Sequence, residues 1–426
     1  MFRKILLIKV FVLSSIFAYS QIPDFNMHLY PCPNIHFNGE YYINSDNVNN
    51  NFIYDYYKGG FLNRDIRTEQ WDDLKSSNII GNKSRYSAFY TEPLDSLFGQ
   101  TNLFFTAVYA FDKQTEIQFT DDLFHLIMFG NKPTAGSYMD IGNSSYTTLK
   151  QQYFKIGLAK TFQQRNIKHR VNFMVGFHIG QNYQNIVAAE NTQIFTDTSG
   201  TFIDINAPIT YTKTHSTTDK FRIASSGFSL NLSYDLIFKK HHFFLAVENM
   251  GYHFWNQRTE YYDRDTSFTF YGIEIADITT VDSLSFPQVL NDYGIETEKG
   301  KRRIAMPMHI RLGWEYQSFS WLKIRFMFSH YLHSIYKPQI RFEPEYIINE
   351  QTQIYPIISY GGYSDYNIGI GLKHYIENWD VYIEARSEYI DGIVFPNTNS
   401  GIGGQIKIAK YLGKCYSLRN TQSSFL

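Results

Sequence analysis

At 426 residues with a formal net charge of −1, the chain has no charge surplus of the kind that draws a protein to nucleic acid or to an acidic partner. Aromatic residues make up 18% of it, with 34 Tyr and 36 Phe, although mean hydropathy is only −0.32. That many rings exceeds what a soluble core of this length uses and suits two aromatic girdles, one at each face of a membrane.

Residues 1–21 read MFRKILLIKVFVLSSIFAYSQ. Arg3 and Lys4 form a positive start, 5–17 a mostly apolar stretch, and Ala18 and Ser20 stand at −3 and −1 of a cut before Gln21. This is the pattern of a secretory signal peptide over 1–20. An anchoring helix is disfavoured because the stretch is short and Lys9 breaks it. No cysteine sits near the cut to carry a lipid. Further on, no run of 18 apolar residues follows, which excludes ordinary transmembrane helices. The only cysteines, Cys32 and Cys415, would lie in a compartment that permits a disulfide; sequence leaves open whether they meet.

The rest of the chain reads as membrane-crossing strands, each about 9–11 residues with alternate side chains facing lipid. Strands are expected at 35–44, 51–58, 84–92, 102–111, 114–120, 152–162, 169–180, 221–238, 243–254, 307–317, 321–333, 365–376, 380–390 and 402–412. The alternation is plain at 308–317, where Met308, Ile310, Leu312, Trp314 and Tyr316 oppose His309, Arg311, Gly313, Glu315 and Gln317. It recurs at 171–180, 228–236, 322–333 and 381–388. Links alternate too. Short ones at 163–168, 239–242, 318–320 and 377–379 fit periplasmic turns; long ones at 181–220, 255–305, 334–364 and 391–401 fit extracellular loops. A soluble β-sandwich has shorter strands and no such alternation of links.

The fold class expected is therefore all-β: a transmembrane antiparallel up-and-down β-barrel of about 14 strands, an even number with both ends in the periplasm, and short helices in loops or lumen. The barrel spans 21–412, its first part standing either in the wall or as a lumen plug, and 413–426 is a periplasmic tail. Segment 267–276 also alternates but would break the parity, so it belongs in an extracellular excursion. A helix is expected at 121–130, from an Asp121-Asp122 start through Leu123, Leu126 and Ile127 to a Gly130 stop. A poorer one lies at 282–293, interrupted by Pro287.

Several segments together resemble a known family: DDLFHLIMFGN (121–131), FFLAVENMGYHFW (243–255), FTFYGIEI (268–275), AMPMHIRLGWEYQ (305–317) and the glycine-rich run 358–393. They are similar to a Bacteroidetes-type family of outer-membrane barrels with no assigned function. That family is distantly similar to FadL-like fatty-acid transporters and to barrel proteins of type IX secretion. The resemblance implies a barrel; it names no substrate. One departure is that barrel chains commonly end on an aromatic, whereas here a polar tail follows the last strand.

Arg311, Glu315, Lys323, Arg325, Lys373, Glu384, Arg386 and Glu388 are the expected lumen lining. Read functionally they form a selectivity surface; read structurally they pair with one another and stiffen the wall, and their mixed signs favour pairing. His241-His242 has no ligand partner at metal spacing. His309, His330 and His333 come from adjacent strands, close enough to converge, but read better as lumen or interface residues. Trp255, Trp314, Trp321 and Trp379 read as interfacial anchors. No catalytic set, cofactor or metal site is marked, so the chain is not expected to be an enzyme.

Two functions compete. The first is passive or gated outer-membrane transport of a small, hydrophobic solute through a barrel partly blocked by its N-terminal segment or the 121–130 helix. The second is a structural or secretion-associated barrel that docks a periplasmic or surface protein. Outer-membrane lipid is the partner common to both.

Overall fold

The computed structural model describes residues 32–57, 59, 62–214, 223–270 and 297–412. The signal segment, the helix expected at 282–293 and the tail at 413–426 lie outside these residues, as does Cys415. Cys32 is disulfide-bonded.

Fourteen antiparallel strands close into an up-and-down barrel. They are β1 (Asn34–Ser45), β2 (Asn78–Leu94), β3 (Leu103–Phe119), β4 (Ser145–Gln164), β5 (Ile167–Ala188), β6 (Ser225–Phe238) and β7 (His241–Trp255). The second half comprises β8 (Met308–Phe319), β9 (Leu322–Leu332), β10 (Lys337–Ile347), β11 (Thr352–Gly362), β12 (Tyr366–Ile376), β13 (Val381–Ser387) and β14 (Ile402–Tyr411). Each pairs with its neighbour in the chain. The circle closes where β1 runs against β14, from Asn34↔Tyr411 to Ile43↔Ile402. Closure gives every wall strand a partner on both sides, which a wall set in hydrocarbon requires.

Alternation sets the two faces. On β8, Leu312 is 45% exposed and points outward, while its neighbour Arg311 is 4% exposed and points into the lumen. Phe173, Leu232, Phe326 and Leu372 continue the outward apolar band. At the end where β4–β5, β6–β7 and β8–β9 turn tightly, Phe319, Trp321, Tyr346 and Trp379 are exposed; at the other, Tyr360 and Tyr366 are. These two ends are called the turn end and the loop end. Both β1 and β14 terminate the chain's barrel at the turn end.

The strand count expected from sequence matches only because errors cancel. Segment 51–58 is not a strand but helix α1 (Asn50–Tyr57). Its aromatic run has β propensity, yet Asn49 accepts the Phe52 N–H at 2.9 Å as an N-cap, and Phe52 and Ile53 pack into an apolar cluster; cap and burial override propensity. The strands expected at 102–111 and 114–120 are one, β3. Conversely, 334–364 is not a long loop: it holds β10 and β11. Pro338, Pro344 and Pro356 disguise these strands, since proline lacks the ladder donor. The structure accommodates them by gaps, the β10–β11 register skipping from Lys337 to Ile340 and from Phe342 to Tyr346.

Helix α2 (Arg64–Asp72) follows α1, and α3 (Asp121–Phe129) lies where a helix was expected, though its N-cap is Thr120. Gly130, at φ +79°, ends it in a conformation that favours glycine. A fourth short helix, α4 (Ile390–Val394), follows β13. Beyond the loop end the wall extends into a small sheet. Ile203–Lys213 pairs with the top of β5 and along its length with Glu260–Phe270. The described part of the parity-breaking segment 267–276 thus lies outside the barrel circle, and 271–276 is outside the described residues. The long link expected at 181–220 is strand-rich, since β5 runs on to Ala188 and Gln193–Thr196 adds a further strand.

Candidate functional site

The expected lumen residues fall into two groups. Glu315, Lys323, Arg325, Lys373, Glu384, Arg386 and Glu388 belong to a lattice across β8–β13. Arg325 binds Glu315 at 2.7 Å and Glu343 at 2.9 Å. Lys323 stands 3.6 Å from Glu345, which also pairs with Lys373. Arg386 lies 3.8 Å from Glu343, Arg341 binds Glu388 at 2.9 Å, and Glu384 accepts from the Tyr355 hydroxyl. Arg341, Glu343 and Glu345 were hidden in the segment read as a loop. Arg311 stands apart, paired with Glu248 of β7. A buried charge is retained at tolerable cost only when paired in this way.

A tyrosine cluster lies above the lattice, towards the loop end. Tyr42, Tyr331, Tyr336, Tyr363 and Tyr389 pack together with Ile79. The Tyr363 ring covers Gly81 so closely that a Cβ there would come within 2.2 Å of it. Across the lumen, a polar partition joins β4, β5, β6 and β7. His178 and His253 both meet the Gln151 Oε1 at 2.9 Å, and their other ring nitrogens face Ser229 at 2.7 Å and Ser225 at 3.0 Å. Because an amide oxygen only accepts, the protons sit on His178 Nδ1 and His253 Nε2 and the serines donate. Sequence alternation placed His178 inward but gave no hint of this network.

Other expectations change. Trp255 is no interfacial anchor: it is 1% exposed and stacks on Tyr183 inside the wall. Trp321 and Trp379 are exposed at the turn end. His309 and His330 follow the lumen-or-interface reading rather than converging: His309 stacks on Tyr331 in the lumen while His330, paired with Ile310, takes the outward-facing register of β9. His242 gains a partner sequence did not offer, Asp235 at 2.9 Å. Among the described residues no cluster of three or more metal-ligand side chains forms.

The site that sequence reasoning missed is an apolar pocket at the loop end. It forms because β2–β5, at 17 to 22 residues, run past their neighbours and the helices fold over their ends. Helix α1 contributes Phe52, Ile53 and Tyr56; α3 contributes Leu123, Phe124, Ile127 and Met128. Ile43, Ile80 and Ile117 line it from β1–β3, with Ile186 and Ile209 opposite. Its volume is about 500 Å³ and no charged side chain lines it. Phe124 is the hinge of the packing, 5.5 Å from the Phe52 ring and 6.3 Å from Phe119. The α3 pattern was legible; the α1 half was misread as a strand, so the two apolar faces were never put opposite each other.

The pocket is braced from the far side of α1. The Asn50 amide donates to Gly392 O at 2.5 Å and Gly401 O at 2.9 Å, and accepts from Gly401 N at 2.9 Å. This ties α1 to the β13–β14 connection, where α4 fills the wall that β13, only seven residues long, leaves open. Asp391 of α4 takes the Ile368 N–H of β12 at 3.1 Å.

The sequence profile of a family of unknown function, DUF5723, matches residues 22–385. The chain belongs to that family. Among curated proteins none matches. The structure is similar to a Pseudomonas aeruginosa FadL homologue (9% identity, TM-score 0.43, covering 90% of each chain). It is also similar to the Ralstonia pickettii toluene transporter TbuX (7%, TM-score 0.44, 90% of each chain). A TodX deltaS2S3 mutant monoaromatic hydrocarbon channel aligns at 8% and TM-score 0.49, over 91% of this chain and 92% of its own.

Proposed function

We propose that this member of DUF5723 is an outer-membrane barrel that takes up an uncharged hydrophobic solute through the pocket between α1 and α3. The observation that carries this is the pocket itself: about 500 Å³, apolar, without one charged side chain on its lining. That volume lies in the range of small-molecule sites. The outward apolar band, bounded by exposed aromatics at both ends, supports residence in a bilayer. The loop end, with its helices and extra sheet, then faces the exterior and receives the solute.

Chemistry narrows the solute class. A carboxylate buried here would have no cation to pair with, a cost of several kcal/mol. A neutral ring system incurs no such penalty. If it buries roughly 200 Å², the gross gain at about 25 cal/mol/Å² is about 5 kcal/mol. This makes a weak site that exchanges its occupant, as uptake requires.

Uptake tests the reading. In a Gram-negative host whose lipopolysaccharide slows hydrocarbon entry, expression of the protein should raise the initial rate of labelled naphthalene uptake. Ile127→Asp, which puts a charge on an exposed α3 position lining the pocket, should abolish the increase. Equal uptake with wild type, variant and empty host would overturn the proposal.

A further inference from the structure

The lumen holds a second cavity of opposite chemistry. It lies on the turn side of the tyrosine cluster, among the first residues of β1, β3 and β5 and the last of β6, and has a volume of about 170 Å³. Arg85, Lys155, Arg170, Arg311 and Lys407 line it against only three carboxylates, Glu40, Asp235 and Glu248.

Those carboxylates already have partners. Glu40 lies 3.5 Å from Lys83, Asp235 accepts from His242 at 2.9 Å, and Glu248 pairs with Arg311. Lys155 is 5% exposed, yet its ammonium is held by two neutral amide oxygens, Asn249 Oδ1 at 2.6 Å and Asn231 Oδ1 at 3.3 Å. Among the described residues no carboxylate comes within ion-pair distance of it. The Asn249 contact depends on an irregularity: the β6–β7 register slips between Val247 and Met250, and Asn249 adopts φ +59°. Arg85 is ion-paired with Asp112 at 3.5 Å and Arg311 with Glu248, so each of these guanidiniums has one carboxylate, while Lys155, among the described residues, has none.

Buried cations without full counter-charge are costly. An ammonium without a carboxylate, flanked by guanidiniums around a cavity, is a recognition set for an oxyanion. The space exceeds several times the roughly 30 Å³ share of one water. We propose that this cavity binds a compact oxyanion (phosphate, sulfate or a carboxylate group) as the counter-charge to Lys155, with the Arg85 and Arg311 guanidiniums, each already paired with one carboxylate, standing beside it on the lining. The site is independent of the outer pocket and shares no lining residue with it.

Isothermal titration of the full-length barrel, held in amphipol at constant ionic strength with chloride as background, tests this with sodium phosphate, sodium sulfate and sodium acetate. At least one should bind saturably at a single site. Phosphate or sulfate without acetate assigns a tetrahedral ion; acetate alone assigns a carboxylate. Lys155→Gln should weaken binding tenfold or more. Lys373→Gln, the same change in the C-terminal lattice, should leave it within twofold. Heat-shifted migration on a gel verifies that each variant is folded, and Lys155→Met replaces the Gln variant if that one is not. No saturable binding by the wild type overturns the proposal irrespective of the variants. So does a Lys155 variant that binds as wild type does, or equal losses in both variants.

Discussion

The two halves of the barrel use the same alternation to opposite ends. In the C-terminal half, β9 to β12 are each 11 residues long, their loop-end connections are short, and their inward side chains interlock as a charge lattice that fills the lumen. In the N-terminal half, β2 to β5 are half as long again or longer. The surplus length forms a platform for α1 and α3, and the outer pocket and most of the lumen cavity's lining lie on this side. The difference teaches that a barrel wall is generic, while strand overhang and the satisfaction of inward charges decide where a ligand can sit.

The lattice gives the largest expected effect. Arg325→Met would leave Glu315, Glu343 and Glu345 facing one another without their shared cation. The loss expected is about 3–5 kcal/mol, read as a shift in urea unfolding by tryptophan fluorescence. A change below about 1 kcal/mol would show that the lattice is solvated rather than buried.

Next comes the brace between the halves. Asn50→Ala leaves the Gly401 N–H and two carbonyls without their side-chain partner, which costs about 1–3 kcal/mol. The β13–β14 connection should then be cleaved faster by added protease while the strands resist. Unchanged cleavage would mean that α4 is held without α1.

Tyrosine packing over the lumen should be sensitive to volume. Gly81→Ala pushes a methyl group into the Tyr363 ring, and overpacking of this kind costs about 1–3 kcal/mol. Gly371→Ala meets the Tyr355 ring in the same way, so the two should behave alike. If only one does, the barrel's two sides differ in rigidity.

The smallest effect belongs to the exposed rim. Asp365 sits between Lys75 and Lys337, both at 3.1 Å. Burial acts to raise its pKa, but the hydrogen bonds and charges of the two lysines prevail and hold the carboxyl below its ordinary value. A depressed carboxyl stabilises the fold above its unfolded pKa and loses that contribution as pH falls through the folded one. With Asp365 41% exposed, Asp365→Asn should cost about 0–1 kcal/mol at neutral pH, and nothing in acid where the wild type is also protonated. Parallel urea titrations at the two pH values show this as a difference that vanishes.

How much of this was legible in the sequence follows from the physics of each part. Period-two alternation exposed β8 and β12, because lipid on one side and paired charge on the other leave few exceptions. It failed at β10, where prolines and Arg341, Glu343 and Glu345 mimic a polar loop, and at α1, where a cap and tertiary burial outweigh aromatic β propensity. Arg325 and its partner Glu315 could be named as lumen residues; its other two partners, Glu343 and Glu345, lay in the misread segment. The outer pocket was illegible for the same reason, as its two helical faces come from segments about 70 positions apart that only the pairing of β1, β2 and β3 brings together.

The central claim is that the outer pocket takes neutral rings and refuses anions. Equilibrium dialysis of the amphipol-held protein against labelled naphthalene and labelled naphthoate at pH 7.4 tests it most directly. Saturable naphthalene binding is expected, at least tenfold tighter than naphthoate and weakened about tenfold, or 1.4 kcal/mol, by Ile127→Asp. Naphthoate bound as tightly as naphthalene, or naphthalene binding indifferent to Ile127→Asp, would contradict it.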